Sequence, residues 1–330
     1  MSSARHLITL LKTHVRGDEQ EFLSVAMELA AREARQGHIR VAEQIRELVD
    51  QARVKATLLQ KRSGSIVVLQ PRGDMASLLS VGQPTTRLSS MVLPETLEKC
   101  LRRVLLEQRQ KSKLRKHDLK VRRKLLFLGP PGTGKTMTAA ALAGELHLPL
   151  FTILLEGVIT KFMGETAAKL KLIFEAMVVE KGVYLFDEFD AIGARRTQTN
   201  DVGEIRRVLN SFLQLLEKDD SDSLIIAATN HPGLLDKALF RRFDDVIEYL
   251  LPEQRTAVKV VAARLARFNV SGLDWNGICS EVEGLSQAEL VRASDEAAKN
   301  SILQGTDRIR TEDLLIALHE RKHASRSVDR

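Results

Sequence analysis

Residues 129–136 read Gly-Pro-Pro-Gly-Thr-Gly-Lys-Thr, and this run limits the fold more than any other feature of the chain. It follows directly on the apolar Lys124-Leu-Leu-Phe-Leu128 and opens a stretch, Lys135 to Leu146, that is rich in alanine. A strand must therefore deliver the loop and a helix must leave it. Several backbone N–H groups have to turn inward together around an anion, which calls for residues without a Cβ, here Gly129, Gly132 and Gly134. Lys135 can then reach the β- and γ-phosphates and the Thr136 hydroxyl can serve Mg²⁺. The helix N-terminus adds its partial positive charge. Pro130, Pro131, Thr133 and Met137 complete the expected nucleotide-binding set. The pattern predicts binding of a nucleoside triphosphate.

A second motif points from binding to hydrolysis. Val183-Tyr-Leu-Phe186 is a buried-strand pattern that ends in Asp187 and Glu188. An aspartate at the C-terminal end of a parallel strand lies at the sheet edge where ligands of open α/β sheets bind. Asp187 is thus the expected partner of Mg²⁺, and Glu188 the group that polarises the attacking water. The alternation of apolar strands at 124–128, 149–154, 182–187, 224–229 and 245–250 with helices predicts an α/β fold, a parallel sheet covered on both faces.

Around this core, the first 60 residues read as a helical N-terminal bundle. Its helices run from Arg5 to Val15, from a capping box at Asp18 and Glu21 to near Gly37, and onward from His38. Residues 61–93 carry several breakers and read as a partly ordered linker, with Ile66-Val-Val-Leu69 as a short strand. Pro94 opens a helix towards residue 111 and begins a nucleotide-binding α/β domain over 94–252. From 253 to 330 the pattern is helical throughout: a lid, with a capping box at Ser286 and Glu289 and a last helix from Thr311.

The formal charge of +7 is concentrated in residues 102–124, where basic side chains face only Glu107 and Asp118. Such a run suits nucleic acid, but aromatics for base stacking are not interleaved with it, and a solvated face or subunit contact explains it better. The two cysteines, Cys100 and Cys279, are far apart and lack metal-binding spacing, which argues against a disulfide framework or a zinc site. With neither an apolar signal core nor a stretch of the ~20 apolar residues that a membrane span needs, a soluble cytoplasmic protein is expected.

Both nucleotide motifs, with the segments around them, resemble the AAA clade of the AAA+ ATPases over roughly residues 90–320. The resemblance implies a P-loop NTPase sheet with an all-α lid, ATP with Mg²⁺ as ligand, and ATP hydrolysis. Leu224-Ile-Ile-Ala-Ala-Thr-Asn230 is similar to the strand that ends in the family's polar sensor, so Asn230 would help to hold the water. Leu235 to Asp244 is similar to the region whose arginines complete a neighbouring subunit's site. Members often separate these arginines by Pro-Gly; here Arg241 and Arg242 are adjacent, which leaves open which is the finger. Arg241 is favoured, with Arg242 bracing the Phe243-Asp244 turn. Lys161, Phe162, Met163 and Gly164 occupy the place of the clade's pore loop, where an aromatic grips extended polypeptide. Arg195, Arg196, Arg206 and Arg207 are candidates for subunit contacts. Gly284-Leu-Ser-Gln-Ala288 resembles the segment that closes over adenine, although many relatives carry Gly-Ala where this chain has Gln287-Ala288. The absence of an arginine sensor there leans towards protein substrates.

The resemblance therefore implies a homo-oligomeric ring, a hexamer, that remodels, unfolds or threads proteins. One alternative is an ATP-dependent switch for a partner protein, a protease among the candidates, because compact bacterial relatives with a helical cap are sometimes encoded beside one. Another is a helper ATPase associated with nucleic acid, the weaker of the two.

Overall fold

The computed structural model describes residues 75, 77–158, 163–189, 202–234 and 237–328. The expected N-terminal bundle and the strand at Ile66–Leu69 lie outside the described residues. So do Lys161, Phe162, Arg195 and Arg196.

Among the described residues six strands form one sheet: β1 (Leu79–Gly82), β2 (Lys124–Leu128), β3 (Leu150–Ile153), β4 (Val183–Phe186), β5 (Leu224–Thr229) and β6 (Asp245–Glu248). Their spatial order is β1-β3-β4-β5-β2-β6. Strands β2 to β6 run parallel, and β1 pairs antiparallel with β3. The loops after β2, β4 and β5 consequently leave the same edge of the sheet. The five expected strands form the parallel sheet, and β1 adds an antiparallel edge from the segment read as a partly ordered linker. Its four residues, Leu-Ser-Val-Gly, are too few to show a period. Leu78 and Leu79 are nonetheless buried, and Leu154 donates its N–H to the Leu78 carbonyl at 2.9 Å.

The central strands are buried on both faces because each supplies side chains to two cores in alternation. Leu126, Tyr184, Phe186, Ile225 and Ala227 enter one core, where they meet α5 (Met163–Val179) and α6 (Val202–Lys218). Leu125, Phe127, Val183, Leu185 and Ile226 enter the other, against α1 (Glu95–Arg109) and α3 (Lys135–Leu146). Helix α5 buries Leu170, Ile173, Phe174 and Met177, the spacing of one helical face. Short helices α2 (Lys111–Arg115), α4 (Leu155–Val158) and α7 (Lys237–Phe240) fill the connections. Pro94 stands at the N-cap of α1.

After β6 the chain is helical: α8 (Gln254–Arg264), α9 (Trp275–Glu281), α10 (Gln287–Leu303) and α11 (Thr311–Val328). These helices have an apolar core of their own, centred on Val261, Leu265, Ile278, Leu290 and Leu314. Ser286 and Glu289 form the expected capping box at the start of α10, each side chain accepting the other's backbone N–H. Among the described residues no helix is long and apolar enough to cross a membrane. Cys100 and Cys279 are both free thiols.

Much of the basic run is engaged within the fold. Arg102 pairs with Glu98, Arg109 with Glu145, Arg122 with Glu107 and Asp245, and Arg123 with Asp219. Lys111 and Arg115 share Asp222, which holds that carboxyl below its ordinary range. Lys124 donates to the Leu216 carbonyl. The Asp244 carboxylate accepts from the backbone N–H groups of Arg123 and Lys124, both at 2.9 Å, and so ties the segment after α7 to the start of β2. Asp219 is the most deeply buried partner, its side chain 1% exposed. Removing the cation from a buried pair leaves the other charge uncompensated, so Arg123→Ala is expected to cost about 3–5 kcal/mol in urea denaturation. Arg102→Ala, which breaks an exposed pair, should cost under about 1 kcal/mol.

Candidate nucleotide site

The phosphate loop leaves β2 under tight constraint. Gly129 has φ of 143°, and a Cβ there would lie 2.0 Å from the Tyr249 carbonyl oxygen. Tyr249 follows β6 and donates its N–H to the Leu128 carbonyl at 2.7 Å, so the strand beside β2 roofs the start of the loop. Its ring is buried against Phe127, and burial pushes its phenol well above the usual range. Gly132 has φ of 75°, and a Cβ there would meet the Ser286 hydroxyl at 2.6 Å. The lid thus sits directly on the loop, and the Ala288 N–H donates to the Gly132 carbonyl at 3.0 Å.

Lys135 is the first residue of α3 and only 6% exposed. Its ammonium donates to the Gly129 and Pro130 carbonyls at 2.7 and 2.8 Å. Thr133 is buried and donates to the Pro130 carbonyl. The Thr136 hydroxyl donates to Asp187 Oδ2 at 2.6 Å, joining the two sequence motifs at one point. Two hard oxygen donors on rigid elements suit a Mg²⁺ ion completed by phosphate oxygens and water.

Asp187 and Glu188 emerge between two fully buried rings, Phe186 and Phe189. Both rings pack on Phe212 of α6, with centroids 5.0 and 4.7 Å away. Glu188 takes a left-handed conformation, φ 49°, while its N–H donates to Asp187 Oδ1 at 3.0 Å. The aromatic anchor and the turn together aim Glu188 outward, where it is exposed.

One cleft of about 640 Å³ gathers these groups. It is lined by Pro131, Gly132, Gly134, Lys135, Thr136 and Met137 of the loop and helix, together with Asp187, Glu188 and Asn230. Its size falls in the range of small-molecule sites. The far end is apolar and was not foreseen from motifs: Met91 and Val92 come from the segment before α1, and Val260, Ala263 and Val291 from the lid. Isolated apolar residues in helical stretches give no signal of a ligand wall.

Neither Arg241 nor Arg242 lines the cleft. Arg242 pairs with Glu217 on α6, and the following turn is held by Asp244. Arg241 is exposed and makes no ion pair or hydrogen bond among the described residues. Met163 and Gly164, expected in a loop, stand at the start of α5.

A family model described as "ATPase family associated with various cellular activities (AAA)" matches residues 125–251. The chain is 30% identical over 304 residues to the AAA family ATPase y4kL of Sinorhizobium fredii, covering 92% of this chain and 91% of that protein. The chain belongs to the AAA family of ATPases. It is also 32% identical to the proteasome-activating nucleotidase of Thermococcus onnurineus over 274 residues, 79% of this chain and 69% of that one. To the ATP-dependent zinc metalloprotease FtsH of Lancefieldella parvula it is 37% identical over 197 residues, 57% of this chain but 30% of that protein.

Because Phe212 supports the rings on both sides of the carboxylates, Phe212→Ala is expected to cost about 3–5 kcal/mol by thermal or urea denaturation. Phe212→Leu should recover more than half of that loss.

Proposed function

We propose that this AAA ATPase hydrolyses ATP at sites shared between subunits of a ring, a hexamer as in the sequence-based expectation, and uses the cycle to remodel protein substrates. The observation that carries the reading is the division of the site. The phosphate loop, Asp187, Glu188 and Asn230 share one cleft, whereas the exposed Arg241 stands off it. An arginine so placed is available to a neighbouring copy, and repetition of a head-to-tail contact closes a ring.

In this reading Lys135 exchanges its loop carbonyls for the β- and γ-phosphates of ATP. Thr136 and Asp187 hold Mg²⁺, which when bound neutralises charge on the phosphates. Glu188 accepts a proton from the attacking water as its oxygen bonds to the γ-phosphorus, and Asn230 orients that water. The bond to the β-phosphate oxygen breaks, giving ADP and phosphate. Arg241 from the adjacent subunit stabilises the charge that develops on the transferred group. The relatives named for proteasome activation and metalloproteolysis support protein as the substrate and a protease as a partner. The internal pairing of residues 102–124 disfavours nucleic acid. Phe162, with Lys161, Met163 and Gly164, is the segment proposed to grip the polypeptide.

The test is ATP turnover per subunit against protein concentration. Wild type should rise with concentration. Glu188→Gln should retain nucleotide binding and lose at least about 10²-fold in rate. Arg241→Ala should lose about 10³-fold or more, and Arg242→Ala far less, because Arg242 is engaged by Glu217. Turnover independent of concentration and indifferent to Arg241 would overturn the ring. Phe162→Ala should keep ATPase activity and lose remodelling of an unfolded protein.

A further inference from the structure

Ser90, Arg264 and Gln287 are the polar side chains that line the apolar end of the cleft. Arg264 is clamped by both oxygens of Asp295, at 2.5 and 3.0 Å, and Ser90 donates its hydroxyl proton to the Arg87 carbonyl. Gln287, the first residue of α10, is different. Its Nε2 donates to the Val92 carbonyl at 3.1 Å, joining α10 to the segment before α1. Its Oε1 lies 3.3 Å from where a Cβ on Gly134 would stand, beside the phosphate loop. Among the described residues Oε1 has no hydrogen-bond partner. The carboxamide therefore lies in the cleft between the phosphate loop and the apolar wall.

We infer that Gln287 is the residue by which this site selects adenine over guanine. The inference rests on the ATP reading above and adds a side chain to it. A backbone carbonyl can only accept, so the bond to Val92 fixes which end of the amide carries nitrogen. One Nε2 proton is spent on that bond; the other proton and Oε1 remain as an adjacent donor and acceptor. Adenine offers the matching pair, its N6 amine beside a ring nitrogen that accepts. Guanine places an acceptor, O6, where adenine has its amine, and a donor, N1–H, where adenine has an acceptor. Meeting guanine would require the amide to turn over, and that turn breaks the Val92 bond. The anchor makes a two-sided group selective. Met91, Val92 and Val260 supply apolar surface for the ring system but no donor or acceptor side chain to distinguish one purine from the other.

The experiment is titration calorimetry of the full chain with slowly hydrolysed analogues of ATP and GTP altered only at the γ-phosphate. Wild type, Gln287→Gly and Gln287→Glu are compared by the ratio of the two affinities. A carboxylate in the first turn of α10 is favoured by the helix dipole, so Gln287→Glu keeps the fold. Its charge weakens both nucleotides alike through their phosphates, which the ratio cancels. The carboxylate only accepts, and guanine presents N1–H and the N2 amine side by side. Wild type should prefer the ATP analogue. The preference should fall by roughly 5- to 150-fold in Gln287→Gly, the range of one bidentate base contact. It should fall further, towards GTP, in Gln287→Glu. Wild-type binding with an ATP-to-GTP ratio that neither variant changes would overturn the role of Gln287 and leave the ATP reading intact. Wild-type protein that binds both analogues equally would do the same. Failure of wild type to bind either nucleotide would bring down the ATP reading and this inference together.

Discussion

The site depends on the register of the central parallel strands. Leu128 pairs with Thr229 and Phe186 with Ala227, so β2, β5 and β4 end close to one level. The residues that follow them are the phosphate loop, Asn230 and the Asp187-Glu188 pair. A slip of one residue in such a strand would exchange its two faces, sending Phe186 out of one core and Leu185 out of the other. Because both faces are buried, that slip is heavily penalised. The same burial that stabilises the sheet therefore fixes the spacing of the groups around the nucleotide.

A second constraint is contact between lid and phosphate loop through small groups. The two meet at Gly132, Ser286 and Ala288, where a backbone hydrogen bond and the space of a missing Cβ hold them together. The Ser286 hydroxyl also caps α10, so the start of that helix is set by the residue that touches the loop. Lid stability and loop geometry share an atom, and a change at either is felt by the other.

Much of this was legible in the sequence, for identifiable reasons. The loop of 129–136 can be read because few residue types tolerate its dihedrals, and β4 and β5 because apolar runs bounded by polar residues suit strands buried on both sides. The capping box at Ser286 and Glu289 was legible because it is local. Strand β1 was not: it is short, lies at an edge and is stabilised by Leu78 and Leu79 packing on residues distant in sequence. The pairing of the basic run was hidden for a related reason, since Asp219, Asp222 and Asp245 come from other parts of the chain. The motif residues of the cleft were identified from their chemistry. The apolar wall, made of Met91, Val92, Val260 and Val291, has no chemistry of its own and becomes a site only when folding brings it opposite the loop.

The placement of α10 has a mechanical consequence. Its first turn rests on the phosphate loop, and its 17 residues run to Leu303, which is 85% exposed. At 1.5 Å per residue this is a rigid arm of about 25 Å pivoted at the phosphate site. A rotation of about 10° at the pivot sweeps the far tip through about 4 Å. Such a rotation would turn a small adjustment at the loop into a displacement comparable with the diameter of a side chain at Ile302 and Leu303, both exposed at the far end.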